Sequence, residues 1–208
     1  MKKKIIIGAA ALVAGLGVVG LLISKRGGKP AADMALPAPE VKNVPILALI
    51  DLRASGREFS KRELERSMLS EILWAAFGKN SAGRRTIPTA KNEQKLGVYA
   101  ITGAGAWAYD GEKNRLMIRS KKDLRPLFAQ QDYVLTAPLT LLYTGTDAEF
   151  SPVHAGAALE NVSLYAASMG LTQVVRAYYD KEAVAKALAL PEAEKPIISQ
   201  TIGWPEQK

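Results

Sequence analysis

The chain has 208 residues, no cysteine, one histidine and a formal charge of +8. Without cysteine there are no disulfides, thiolate nucleophiles or thiolate-ligated metal clusters, and a lone histidine supplies neither a histidine metal cluster nor a catalytic triad. His154 is assigned no role, and no metal is expected. Lys2, Lys3, Lys4, Lys25, Arg26 and Lys29 account for six of the excess charges, leaving +2 for the remainder. That remainder has no basic stripe, which argues against nucleic-acid binding.

Lys2–Lys4 precede an uncharged run from Ile5 to Ser24, closed by Lys25-Arg26. Twenty residues at about 1.5 Å rise each match a bilayer core of roughly 30 Å. Residues 1–24 are expected to be an uncleaved N-terminal transmembrane anchor, and the lysine-first flank leans towards an outward-facing body. Cleavage near Ala31-Ala32, giving a secreted chain, is the alternative. Gly15–Gly20 spells G-x-G-x-x-G, but it lies inside the apolar run with no strand before it, so it is expected to be membrane helix. Residues 25–44, rich in Gly, Ala and Pro, are expected to be a linker. The folded domain is expected over 45–208, starting near Pro45.

Within Leu52–Phe59, Arg53, Ser55 and Arg57 alternate. An extended backbone would point two guanidiniums and a hydroxyl the same way, which suits a phosphate. On these residues alone a solvated charged loop competes. Ser60-Lys61-Arg62-Glu63 reads as a capping box opening a helix with Leu64, Met68, Leu69, Ile72, Leu73 and Ala76 on one face, closed by a left-handed Gly78. Strands are expected over Gly97–Thr102, Trp107–Asp110 and, after the Asp110-Gly111 turn, Arg115–Arg119. A short helix over Leu124–Gln130 and a buried strand over Ala137–Tyr143 follow. Ala155–Met169 reads as a helix ending at Gly170. Beyond it come a strand over Thr172–Ala177, a helix over Lys181–Leu188 and a last strand over Ile197–Ile202. Mixed elements without strict β-α-β alternation make the class α+β.

Several of these segments, taken together, resemble the nitroreductase-like flavoproteins, most closely the short branch that contains the azoline dehydrogenases of thiazole- and oxazole-forming pathways. Arg53-Ala54-Ser55-Gly56-Arg57-Glu58-Phe59 is similar to the family's R-R-S-x-R-x-F. Gly83–Gln94 is similar to R-R-T-x-P-S-A and P-S-x-x-N-x-Q, although Lys95-Leu96 replaces the usual Pro-Trp. Leu73–Gly78, Gly105–Asp110 and Ile202-Gly203-Trp204-Pro205 resemble the L-W-A-A-x-G, G-x-Y-x-Y-D and V-G-Y-P segments.

The resemblance implies a mainly antiparallel sheet flanked by helices, and FMN bound between the chains of a homodimer. It implies that Arg53, Ser55 and Arg57 hold the FMN phosphate and ribityl chain. Pro88, Thr89, Asn92 and Gln94 would reach the flavin from the partner subunit, and backbone groups of Arg176, Ala177 and Tyr178 would face flavin N5 and O4. The K-x-R that completes the phosphate site in classical members is reduced to Lys208. The activity implied is an FMN-dependent oxidoreductase passing electrons from NAD(P)H or another donor to a nitro compound, quinone or similar acceptor. An azoline-type dehydrogenase and a non-enzymatic flavin-binding or membrane-tethered scaffold protein are the alternatives.

Overall fold

Strand β5 (Leu139–Gly145) is buried at all seven positions, and this sets the layering of the molecule. The computed structural model describes residues 31–207. The expected anchor at 1–24, the first part of the linker and Lys208 lie outside the described residues. Side chains of a strand alternate between faces. Leu139, Leu141 and Tyr143 join one apolar cluster, and Leu142 joins the other. A strand covered on both faces reads as a continuous apolar run, which is why the sequence shows no alternation there.

The remaining elements follow in chain order: β1 (Met34–Ala35), α1 (Ile46–Leu52), α2 (Arg66–Phe77), β2 (Leu96–Thr102), β3 (Gly105–Asp110), β4 (Arg115–Ser120), α3 (Tyr133–Thr136), α4 (Ser151–Ser168), β6 (Thr172–Arg176), α5 (Lys181–Ala187) and β7 (Lys195–Gly203). The strands form one sheet in the order β1-β4-β3-β2-β5-β7-β6, and every pairing is antiparallel. Helices α2 and α4 cover one face through Met68, Ile72, Leu73, Ala155, Ala158 and Val162. Phe128, Val134, Val184 and Leu188 cover the other. The α+β class with an antiparallel sheet between helices is therefore the observed one.

A buried amide chain fastens α4 to the sheet. Tyr143 Oη donates to Gln200 Oε1 at 2.7 Å. Gln200 Nε2 reaches Leu159 O on α4 at 3.1 Å and Gln173 Oε1 on β6 at 3.0 Å.

Three local expectations change. Helix α2 starts at Arg66, not after Ser60, and Glu65 precedes it without a side-chain cap. The reason is tertiary. Ser60 N–H donates to Trp204 O at 2.9 Å and Phe59 bridges Pro205, so the supposed cap residue is held against the end of the chain. The Ser60 hydroxyl instead accepts from Arg62 N–H at 3.3 Å. Second, Gly78 is extended (φ −76°, ψ −168°) rather than left-handed. It must be glycine because a Cβ there would lie 2.3 Å from Trp74 Cδ1. Gly170, with φ +66°, is the left-handed residue beyond α4.

Third, the described part of the expected linker is folded chain as far as Pro37. Met34 and Ala35 pair with Leu116 and Arg115. Trp107 Nε1 donates to Ala32 O at 2.9 Å, and Ile118 N–H donates to Asp33 Oδ1 at 2.7 Å. Ser70 Oγ donates to Pro37 O at 2.6 Å. A chain beginning at Pro45 should be less stable than one beginning at Ala31 by about 3 kcal/mol, from lost hydrogen bonds and the half-buried Met34 and Leu36. Guanidinium unfolding of the two chains measures this, and equal midpoints would return residues 31–37 to the linker.

Candidate functional site

The stretch from Arg53 to Arg57 belongs to no paired strand, and its first residue is extended (φ −61°, ψ 120°). Arg53 closes α1, its N–H donating to Leu49 O at 2.9 Å. Ala54, Ser55 and Gly56 then run along the start of β6 and line a groove of about 310 Å³ with Ser163, Ala167, Gly170 and Thr172. Gly56 N–H donates to Gln173 O at 2.9 Å, and Gln173 Nε2 donates to Ala54 O at 3.2 Å. Contact is close enough that a Cβ on Gly56 would meet Thr172 Oγ1 at 2.1 Å. Among the described residues, neither Arg53 nor Arg57 takes part in an ion pair. The groove thus carries an exposed hydroxyl flanked in sequence by two uncompensated guanidiniums, a donor set that fits a phosphate.

Strand β6 is the edge of the sheet. Because Gln173 O bonds outward to Gly56, alternation turns the backbone N–H and C=O of Val175 to the same open edge and those of Arg176 inward to β7, so the expected backbone contact of Arg176 with a ligand is not available there. Beyond the strand, carbonyls are already engaged: Ser199 Oγ donates to Arg176 O, Tyr179 N–H to Ala177 O and Arg176 Nη2 to Tyr178 O. Ala177 and Tyr178 are exposed. The Arg176 side chain, 4% exposed, adds a feature that sequence reasoning missed. Its Nε donates to Gln131 Oε1 at 3.0 Å and its guanidinium lies 5.3 Å from the Tyr133 ring centroid. Its Nη1 is buried without a partner among the described residues. Burial pushes this guanidinium below its ordinary pKa.

The Pro88–Gln94 segment is built separately. Lys91, Asn92 and Gln94 all have positive φ (51°, 55° and 53°), a conformation that side chains other than glycine adopt only when other contacts hold it. A side-chain relay provides some of those contacts. Arg85 Nε donates to Gln94 Oε1 at 2.8 Å, and Gln94 Nε2 donates to Asn92 Oδ1 at 3.0 Å. A guanidinium only donates, so the relay fixes both amide orientations. Asn92 keeps its oxygen inward and presents its NH₂ outward. Gln94, expected as a ligand contact, has both amide ends engaged and serves to orient Asn92. Pro88 and Asn92 are exposed and Thr89 is half-buried. At the other end of the segment, Ala90 N–H donates to His154 Nε2 at 2.8 Å. That bond joins residues 64 apart, and no local pattern announces it.

Helix α4 sets the spacing. His154 lies in its first turn, whereas Ala167 and Gly170 lie at and beyond its last. Thirteen to sixteen residues at 1.5 Å each separate the two ends by about 20 Å. One chain therefore brings the Ser55 groove beside the edge of β6 and sets the Pro88–Gln94 loop towards the other end of α4.

An antiparallel sheet between helices thus carries a phosphate-suited groove beside an edge strand and a polar loop towards the other end of α4. The chain belongs to the nitroreductase family, whose model matches residues 50–204. It is 27% identical over 172 residues to a candidate nitroreductase of Methanocaldococcus jannaschii, covering 72% of this chain and 87% of that protein. The crystal structure of a candidate nitroreductase from Ralstonia eutropha JMP134 is similar at a TM-score of 0.81, with 36% identity over 87% of this chain and 93% of that one. A chain of the Escherichia coli microcin synthetase McbBCD complex shares the fold at 17% identity and a TM-score of 0.64, over 96% of this chain and 85% of that one.

Arg85 holds the Asn92 relay and also donates through Nη1 to Phe77 O at 3.1 Å and pairs with Glu112. Arg85→Met should cost about 2–3 kcal/mol, because Gln94 Oε1 and Phe77 O lose their donors. Lys79→Met, which removes an exposed partner of the same Glu112, should cost well under 1 kcal/mol. Urea unfolding of the two variants compares them, and equal losses would show that Arg85 contributes only its surface ion pair.

Proposed function

We propose that the chain is an FMN-dependent oxidoreductase acting as a homodimer, with each FMN between two subunits. The observation that carries this reading is the placement of the two polar half-sites at opposite ends of α4. The Ser55 groove with the β6 edge and the Asn92 loop lie towards opposite ends of α4, an arrangement that suits half-sites contributed by two chains. Arg53 and Arg57 supply charge-assisted donors to the phosphate, and Ser55 a hydroxyl to the phosphate or ribityl chain. Exposed Ala177 and Tyr178, just beyond the edge strand, would bring backbone groups to the acceptor atoms at N5 and O4, with Val175 N–H taking the place expected of Arg176. Asn92 of the partner subunit brings an NH₂ donor whose direction is set before binding, which limits the ordering cost of capture. When bound, FMN supplies the redox chemistry, taking electrons from a reduced donor and yielding them to an acceptor.

The surface supports a partner. Helix α1 has no buried residue, although five of its seven residues are Ile or Leu. Val41, Val44, Ile46, Leu47 (77% exposed), Ile50 and Leu52 are all exposed. Apolar surface gathered in this way marks an interaction site. NAD(P)H is the proposed donor, and a nitro compound or quinone the proposed acceptor. Residues 1–24 are proposed to tether the body to a membrane, with the body outward. Among the described residues no helix is long and apolar enough to cross one. Loss of the full chain, but not of one lacking residues 1–24, from the soluble fraction checks the tether, and equal partitioning removes it. Reporter fusions at the C-terminus check the side, and a cytoplasmic signal reverses the orientation.

An azoline-type dehydrogenase is the second reading, favoured by the fold likeness to the microcin synthetase complex. Stoichiometric yellow FMN that bleaches with NAD(P)H supports the first. FMN that ignores nicotinamides but is reduced by an azoline peptide supports the second. A colourless chain that does not take up FMN sinks both.

Arg57→Ala should weaken FMN binding about 10- to 100-fold, the loss of one charge-assisted contact worth roughly 1.5–3 kcal/mol. Fluorescence titration measures it, and unchanged affinity removes Arg57 from the phosphate site. Mixing Arg57→Ala chains with Asn92→Ala chains tests the shared site directly. Half of randomly formed dimers are mixed and each has one intact site, so FMN-dependent activity should return to about a quarter of the unaltered level. Activity no higher than that of either variant alone would place both residues in the same chain's site.

A further inference from the structure

We propose that His154 is a positioning residue for the Pro88–Gln94 loop, a latch that holds while its Nε2 is unprotonated and lets go when the ring gains a second proton. The latch stands on geometry. Its consequence for FMN rests on the proposal that this loop meets the flavin of the neighbouring subunit.

The ring is 6% exposed, at the start of α4 and against the loop. Nε2 accepts the Ala90 N–H at 2.8 Å, so the ring is the neutral tautomer with its proton on Nδ1. Nδ1 is itself buried and bonded to no carboxylate among the described residues, so no anion is hydrogen-bonded to the imidazole to retain a second proton. A doubly protonated ring has only donors, and Nε2–H would then point at the Ala90 N–H.

The loop depends on this bond. Residues 91, 92 and 94 are in left-handed backbone conformations that cost on the order of 1–3 kcal/mol each and persist only when held from outside. The Arg85–Gln94–Asn92 relay holds the C-terminal end of the segment. Ala90, which opens the short turn Ala90–Asn92, is held at the other end by His154. Of the charges on the elements packed against the ring, the Asp147 carboxylate lies close enough to feel a positive imidazole. Asp147, in the turn before α4, accepts from Glu149 N–H and Phe150 N–H. On the loop, Lys91 lies 6.0 Å from the Phe150 ring centroid, and Lys95 pairs with Glu93 at 2.7 Å.

Hydrogen exchange of the FMN-free full-length chain, corrected for the intrinsic pH dependence of exchange, reads the latch without any cofactor. Peptides covering residues 88–95 should lose protection about 10-fold between pH 7.5 and 5.5. His154→Gln, whose amide oxygen accepts without titrating, should keep the protection and flatten the profile. His154→Phe should lack the protection at both pH values. The same pH profile in His154→Gln as in the unaltered chain, or full protection in His154→Phe, overturns the latch. FMN titration over the same range tests the consequence. Affinity that falls with loop protection in the unaltered chain and stays level in His154→Gln supports it. Affinity that ignores a confirmed loss of loop protection leaves the latch standing and overturns the placing of the flavin beside this loop.

Discussion

Gln200 is the residue on which the arrangement of this molecule turns. Fully buried in β7, it takes the Tyr143 hydroxyl on its oxygen and gives its NH₂ to Leu159 O of α4 and to Gln173 of β6. Gln173 passes the linkage on, its own NH₂ bonding Ala54 O and its carbonyl accepting from Gly56 N–H. An unbroken chain of amides thus runs from the sheet interior to the groove beneath Ser55. Partly satisfied buried polar chains are costly and fully satisfied ones are rigid. The proposed phosphate segment, which has no regular structure of its own, borrows its position from this chain.

Helix α4 converts that rigidity into spacing. Its C-terminal end carries the wall of the Ser55 groove and its N-terminal end carries His154 beneath the polar loop. The separation of about 20 Å fixed by helical rise is a property of one chain, whereas the chemistry proposed for the family needs both ends near one cofactor. The uncovered apolar residues of α1 and of Val41 and Val44 supply a reason for two chains to meet.

Much of the fold was legible because its signals are local. Short apolar runs and the Asp110-Gly111 turn place β2, β3 and β4, the apolar run gives β5, and small apolar residues ending at Gly170 give α4. Errors arose where a distant partner overrode a local signal. Ser60 has the neighbours of a capping residue, yet Trp204 holds it in another role. Gly78 looks like a helix-ending glycine but is required by the bulk of Trp74. Residues 31–37 have a linker's composition, yet Trp107 and Ile118 engage them. The candidate site divides in the same way. Arg53, Ser55, Arg57 and Asn92 were visible through a family pattern. The service of Gln94 to Asn92, the buried Arg176 guanidinium and the bond from Ala90 to His154 were not, because each depends on a partner that spacing does not reveal.

The two edges of the sheet have a consequence for the order in which the protein can form. At one edge β1 closes β4, and at the other Leu52–Gly56 lies along β6, while Ser60 and Phe59 reach Trp204 and Pro205. Both edges are therefore partly lined by the N-terminal third of the chain, against partners made later. During synthesis the residues proposed to grip the phosphate leave the ribosome long before β6 and β7, and have nothing to lie against until those strands exist. Contacts of such long sequence separation form late, after their loop-closure entropy has been met. The Ser55 groove thus needs both β6 and β7, because a chain that stops short of β7 has no strand to hold β6, and with it the Arg53–Arg57 stretch, against the sheet.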